Sequence, residues 1–272
     1  MIDGILALGL AGLLGLMVGS FLNVVIHRLP LMLQAQWDAE TTATPPNAAP
    51  FNLAVPRSHC PQCHHPLRWQ DNIPLLSFIA LRGRCAHCHA PIGWRYPAIE
   101  LITAGLFTGL VALHGWGFEA MAWAGFSAAL VTLAAIDTDT RLLPDAITQP
   151  LVWAGLLAAS LGISGIGLNE ALWGAAAGYL FLWAVYWLFK GLTGKEGMGQ
   201  GDFKLLAALG AWLGWPALLS LVLIASLTGI LGGLALKWRG LLSENGEMAF
   251  GPYMVLAGLW VMAFGPLPWF LI

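Results

Sequence analysis

Residues Gly4–Ile26 read GILALGLAGLLGLMVGSFLNVVI, an apolar run whose polar side chains are Ser20 and Asn23. About 20 mostly apolar residues in a helix cross the hydrocarbon of a bilayer, so this run is long enough to span. It carries no basic flank before it, and Asp3 precedes it, so it reads as a retained helix rather than a cleavable signal peptide. Working outward, seven more apolar runs follow at approximately Pro97–His114, Glu119–Ile136, Ile147–Gly165, Glu170–Phe189, Phe203–Gly214, Ala217–Leu236 and Gly251–Ile272. The whole chain of 272 residues is 58% hydrophobic and only 10% charged, with mean hydropathy +0.74. An ordinary soluble domain is roughly 25% charged. A chain this poor in charge has too few polar groups to clothe a soluble surface, and lipid is its main solvent. The expected fold is an all-α polytopic membrane protein of about eight transmembrane helices. The run Phe203–Gly214 is short and meets Trp215-Pro216, where proline ends or kinks a helix; it reads as a partial span paired with the next run.

The basic residues orient these helices. Arg28, Arg57, Arg68, Arg82, Arg84 and Arg95 lie between the first and second runs, and Arg141 between the third and fourth. Lys190, Lys195 and Lys204 surround the loop between the fifth and sixth, and Lys237 and Arg239 follow the seventh. These are all twelve basic residues, and every one falls on the same side. The positive-inside rule makes that side cytoplasmic and both termini periplasmic. The expected division is helix one over 1–27, a cytoplasmic loop over 28–96, and a helical membrane core over 97–272. Within the loop, Leu31–Pro56 is rich in Pro, Ala and Thr and reads as an irregular connector. No internal repeat changes this picture, and no nucleic-acid partner is expected. The fourteen tryptophans suit interfacial belts.

All four cysteines lie in that loop as two pairs, Cys60-Pro-Gln-Cys63 and Cys85-Ala-His-Cys88, with 21 residues between them. Two thiolates at this spacing hold one side of a tetrahedral zinc, and two such knuckles complete four ligands. A reducing compartment favours thiolate ligation over disulfides. A closed site of four cysteines leaves no position for a reacting water, so the expected role is structural: it staples a loop too small to fold on a core of its own. His59, His64, His65, His87 and His89 then read as surface or supporting residues.

Ionisable residues at membrane depth are functional candidates. The third run ends in Ala135–Asp145, AIDTDTRLLPD, which places Asp137 nearest the apolar helix and Asp139 toward water. Asp145 follows Pro144 and has the setting of a helix N-cap. A second constellation is Gly197–Lys204, GMGQGDFK, in which Gly197, Gly199 and Gly201 precede Asp202 at a helix start. Glycines without side chains let another chain come close to Asp202; the plainer alternative is a capping aspartate behind a loose loop. The topology puts Asp137 and Asp202 on one membrane side. Two carboxylates that meet share a proton, so that one serves as base and the other as acid. Such a pair activates water against a peptide carbonyl without a nucleophilic serine or cysteine. Neither HExxH nor GxSxG occurs.

Taken together, GSFLNVVIHRLP (Gly19–Pro30), the two CxxC pairs, the stretch from Ile136-Asp137 to Pro144-Asp145, and Gly199-Gln-Gly-Asp202 resemble the type IV prepilin peptidase family, also called prepilin leader peptidase/N-methyltransferase. The resemblance covers most of the chain. It implies an inner-membrane aspartyl peptidase in which Asp137 and Asp202 are catalytic and Gly199 and Gly201 belong to the GxGD loop. It implies zinc on Cys60, Cys63, Cys85 and Cys88. Its substrates would be type IV prepilins and type II secretion pseudopilins, whose short basic leader precedes an apolar helix. The new amino terminus would then be methylated from S-adenosylmethionine. No Gly-rich dinucleotide fingerprint marks a site for that donor; Gly83 and Glu100 are candidates, Glu100 being equally open to pairing with an arginine or facing water. Asn23 and His27 serve either as structural hydrogen-bonding groups or as contacts to the leader. A proton-coupled transporter is the competing expectation, because intramembrane aspartates and broken helices also describe transporters.

Overall fold

A computed structural model describes residues 4–42, 51–195, 197–240 and 248–268. Among these residues the fold is helical, without strands. The α-helices are α1 (Gly4–Thr42), α2 (Leu76–Ala80), α3 (Arg95–His114), α4 (Phe118–Thr140), α5 (Asp145–Ser160), α6 (Leu168–Thr193), α7 (Gln200–Leu213), α8 (Leu218–Trp238) and α9 (Gly251–Phe264). Five of them, α1, α3, α4, α6 and the stretch containing α8, are long and apolar enough to cross a membrane. Their outward faces are apolar too: α8 alone exposes Leu219, Leu223, Leu227, Ile230, Leu231 and Leu234. A soluble monomer rarely shows so large an apolar patch. Several buried hydroxyls are satisfied within their own helices, as where Thr103 donates to the Ile99 carbonyl and Thr132 to that of Ala128.

The chain forms two compact units, Met1–Thr132 and Leu133–Ile272, with α4 beginning in the first and ending in the second. In the first unit α1 lies along α3. A methyl group at Gly15 would sit 2.6 Å from the Ala104 Cα, and one at Gly19 2.7 Å from the Glu100 Cα. Small residues thus set the closeness of this helix pair, as in membrane packing generally. Ala7, Ala11, Val111 and Ala120 close the other end. The helix α1 does not stop where its apolar run stops. It continues through Pro30 to Thr42, so the first part of the stretch expected to be an irregular connector is helical. The residues after Pro30, LMLQAQWDAE, are mostly good helix formers and outweigh one missing N–H. Residues 43–50 of that stretch lie outside the described residues.

In the second unit α7 is the core. Asp202, Phe203 and every residue from Leu205 to Trp212 are buried, among α5, α6, α8 and α9. Glycines again permit the approach: Gly174 of α6 meets the backbone of Gly210, and a methyl at Gly178 would lie 2.7 Å from the Leu206 oxygen. On the α5 side the Trp212 indole N–H donates to the Leu151 carbonyl at 2.9 Å. At 14 residues α7 is roughly 21 Å long, short of the ~30 Å hydrocarbon. It ends at Gly214, whose φ of 81° turns the chain through Trp215–Ala217 into α8. The last helix is shorter than its apolar run: α9 stops at Phe264, where Gly265 with φ 79° and Pro266 break it, instead of running to Ile272.

Candidate active site and cysteine cluster

The end of α4 and the start of α7 supply two buried carboxylates. Asp137 is 5% exposed and Asp202 7%, against the usual placement of aspartate at a surface. Asp137 Oδ2 accepts from the backbone N–H of Gly251 at 2.8 Å. Gly251 opens α9 with Pro252 behind it, so the positive end of a helix points at the carboxylate. A methyl at Gly251 would lie 2.7 Å from that same oxygen. Asp202 is the third residue of α7. It reaches back toward the N–H of Gly199, the N-cap, and the charge of Asp137 acts directly upon it. Two acids that the chain separates by 65 positions are therefore electrostatic neighbours.

The glycines before Asp202 are not left open for an incoming chain, as expected from sequence, at every position. The space beside Gly201 is filled by Leu143, whose Cβ lies 2.7 Å from an added methyl, and that beside Gly197 by the Phe189 ring at 2.7 Å. Only Gly199 has room, its nearest side-chain neighbour being Asp202 Oδ2 at 3.8 Å. Asp145 departs from the N-cap expectation: Pro144 holds the cap position and Asp145 is the first helical residue. Its oxygens take Lys204 Nζ at 2.6 and 2.7 Å, tying the start of α5 to the start of α7. Asp139 is exposed. Sequence reasoning missed Gly251 as a site residue. The Gly-Pro pair at a helix start was its signal, but nothing local says which acid that helix end will meet.

The cysteines gather in the first unit. The four sulfurs lie within 4.8 Å of one another, with Cys60 to Cys88 at 3.8 Å and Cys63 to Cys85 at 4.0 Å. None is in a disulfide. A tetrahedron with metal–sulfur bonds of about 2.3 Å has edges of about 3.8 Å, so the cluster has the dimensions to hold a metal ion. The two knuckles are built alike. Cys60 N–H donates to His65 O and His64 N–H to Cys60 O; Cys85 N–H donates to Ala90 O and His89 N–H to Cys85 O. His64 and His89 both take a left-handed turn, at φ 56° and 55°. Short bridges, His59 with Pro66 and Arg84 with Pro91, close each loop. Backbone N–H groups of Cys63 and Gln62 favour the Cys60 thiolate and bring it down to about 6. The Ala90 N–H favours the Cys88 thiolate, yet burial and the other three sulfurs push it up to about 11. A cation at the centre relieves that repulsion.

The two remaining candidates are placed by the same module. Gly83 adopts φ 66°, and a Phe78 ring atom lies 3.0 Å from where its side chain would begin. Among the described residues Glu100 pairs with no arginine, and it does not face open water. It is buried, accepting from the Leu75 N–H at 2.9 Å and from Ser20. Asn23 donates to the carbonyls of Gly19 and Tyr96, and Arg28 to those of Asn52, Leu53 and Pro56.

Comparison with known proteins agrees with this arrangement. Residues 13–114 match the bacterial peptidase A24 N-terminal domain, and residues 124–234 match the type IV leader peptidase family. The chain belongs to the type IV leader peptidase family. It is 50% identical over 265 residues to a prepilin leader peptidase/N-methyltransferase of Burkholderia pseudomallei, covering 95% of this chain and 85% of that protein. The protein of the same name from Stutzerimonas stutzeri is 50% identical, covering 91% and 87%. That of Pseudomonas aeruginosa is 49% identical, covering 92% and 87%. No solved structure matches the chain. This family membership leaves the transporter expectation without support.

Proposed function

We propose that this leader peptidase family member cleaves the short basic leader from type IV prepilins and type II secretion pseudopilins and then N-methylates the new amino terminus. The observation that carries the peptidase half is the buried pair Asp137 and Asp202, acting on each other electrostatically inside one unit. Neighbouring carboxylates cannot both be charged at low cost, so they share one proton. The charged member takes a proton from water as it attacks the scissile carbonyl, and the protonated member gives its proton to the departing amine. Because the two titrate together, neither is assigned one role in the resting state. The N–H of Gly251 fixes one oxygen of Asp137 and leaves the other for water or substrate. Gly199 and Gly201 set the entry to α7, the second by admitting Leu143 against the helix start.

In this reading zinc is the metal on Cys60, Cys63, Cys85 and Cys88, with a structural role, since four protein ligands leave no open position. S-adenosylmethionine supplies the methyl group when bound. The shorter helices α5, α7 and α9 join the five long ones to make eight, with residues 97–272 holding the membrane core. The one-sided basic residues support a cytoplasmic zinc loop and carboxylates at the inner membrane, with both termini in the periplasm. The test is mass spectrometry of the amino terminus of a co-expressed prepilin, with wild type beside Asp202→Asn. The expected product of wild type is a leader-free chain one methyl group heavier, and the mutant leaves the precursor whole. An intact precursor with folded wild type overturns the reading; cleavage without methylation removes its second half.

A further inference from the structure

Leader cleavage makes no use of a cavity of about 490 Å³ inside the first unit. The middle of α1, the start of α3 and both cysteine knuckles wall it, and Asn23, Val24, Phe78, Tyr96 and Glu100 are among its lining residues. Its size falls in the range of about 300–1,000 Å³ that small-molecule sites occupy. Its chemistry is selective. Glu100 is a buried carboxylate whose partners, a backbone N–H and the side chain of Ser20, are both neutral; among the described residues no cation pairs with it. A buried charge without a counter-ion is costly, and a cationic ligand in the cavity supplies one. Asn23 spends its N–H groups on two carbonyls, and its oxygen is left to accept. Phe78 and Tyr96 offer aromatic surface. The guanidinium of Arg28 also reaches the wall, but it is engaged by three backbone carbonyls. Phosphate-bearing ligands therefore meet an uncompensated carboxylate rather than a free cation. A ligand with a flat heteroaromatic ring, hydrogen-bond donors and net positive charge fits every wall.

Resting on the methyltransferase half of the function above, we propose that this cavity takes up S-adenosylmethionine, with Glu100 against the cationic amino-acid end of the donor and Asn23 accepting from its heteroaromatic ring. No part of the second unit is needed for this uptake, so donor binding and leader cleavage are separable by mutation. The experiment uses the full chain in detergent micelles. S-adenosylmethionine binding is measured by titration calorimetry for wild type, Glu100→Gln and Val24→Trp, the last filling the cavity. In parallel, a photoreactive azido analogue of the same donor is cross-linked to wild type and the labelled peptide sequenced. The expected result is binding at least about ten-fold weaker in Glu100→Gln, the loss of a hydrogen bond to a charged group. Val24→Trp abolishes binding. Both variants keep their metal and still cleave prepilin, and the label falls between Gly19 and Glu100. Wild-type affinity in both variants, or a label in Leu133–Ile272, overturns the assignment while leaving the peptidase standing. Should a variant lose its metal, the wild-type label alone decides. A wild type that fails to cleave prepilin is a failure of the proposed function, and is read separately from the binding data.

Discussion

The cysteine cluster and the aspartate pair each gather acidic groups in a protein only 10% charged, but they do so by opposite means. Each cysteine knuckle is made by its own neighbours: hydrogen bonds spanning four to five residues bend the backbone, and the same bonds recur at Cys60 and Cys85. The aspartate pair has no such local frame. Asp137 ends one helix, Asp202 begins another, and the N–H holding Asp137 comes from a third, 114 positions away. One site is assembled from loops and has the dimensions to hold a metal ion; the other is assembled from helix ends and is finished by burial. The first should therefore fail through loss of its ion, and the second through loss of single atoms.

Five substitutions break or sharpen that contrast. The largest expected effect is that of Cys85→Ser. Structural zinc contributes on the order of 10–16 kcal/mol in small modules. Elemental analysis should fall from one zinc per chain to none, and limited proteolysis should open the loop between Phe51 and Gly93. Retention of stoichiometric zinc would mean that the metal sits elsewhere. Next come Asp137→Asn and Asp202→Asn, each costing roughly 10²–10⁴-fold in leader cleavage, followed by mass of the prepilin product, while zinc content stays whole. If either variant cleaved at the wild-type rate, that residue would leave the catalytic pair. Smaller is Gly251→Ala, whose methyl would come 2.7 Å from Asp137 Oδ2 and must displace it. A displacement of that size costs about 10²-fold in turnover at most, read as kcat with KM little changed; an unaltered kcat would separate the α9 end from catalysis. Smallest is Lys204→Met. The Lys204–Asp145 pair is half exposed on its acidic side, and such pairs contribute about 0–1 kcal/mol. Its loss should lower thermal stability slightly and leave cleavage within about two-fold. A large fall in cleavage would instead show that the pair positions Asp202 two residues away.

Much of this was readable in advance, for reasons that differ by region. The spans were legible because a bilayer demands long apolar runs, and no structure is needed to count them. The gathering of the four cysteines was legible because their spacing brings each pair together. The likeness of the two knuckles was legible as well, in CxxCHxP at Cys60 and again at Cys85, although no repeat was read there. Helix ends were harder: α1 outran its apolar stretch, since helix propensity in LMLQAQWDAE carries on where hydrophobicity stops.

By itself, then, the sequence determined the solvent of this protein, the four cysteines that could hold a metal ion and the two acids worth testing. Each of these depends on composition or on neighbours within a few residues. The tertiary structure alone decided that Gly251 holds Asp137, that Leu143 rather than a substrate fills the space at Gly201, and that Asp145 is spent on Lys204. It also decided that Glu100 is buried against a cavity with no counter-ion among the described residues. These facts depend on which helix faces meet, and that is set by packing summed over many weak contacts rather than by any one residue's identity.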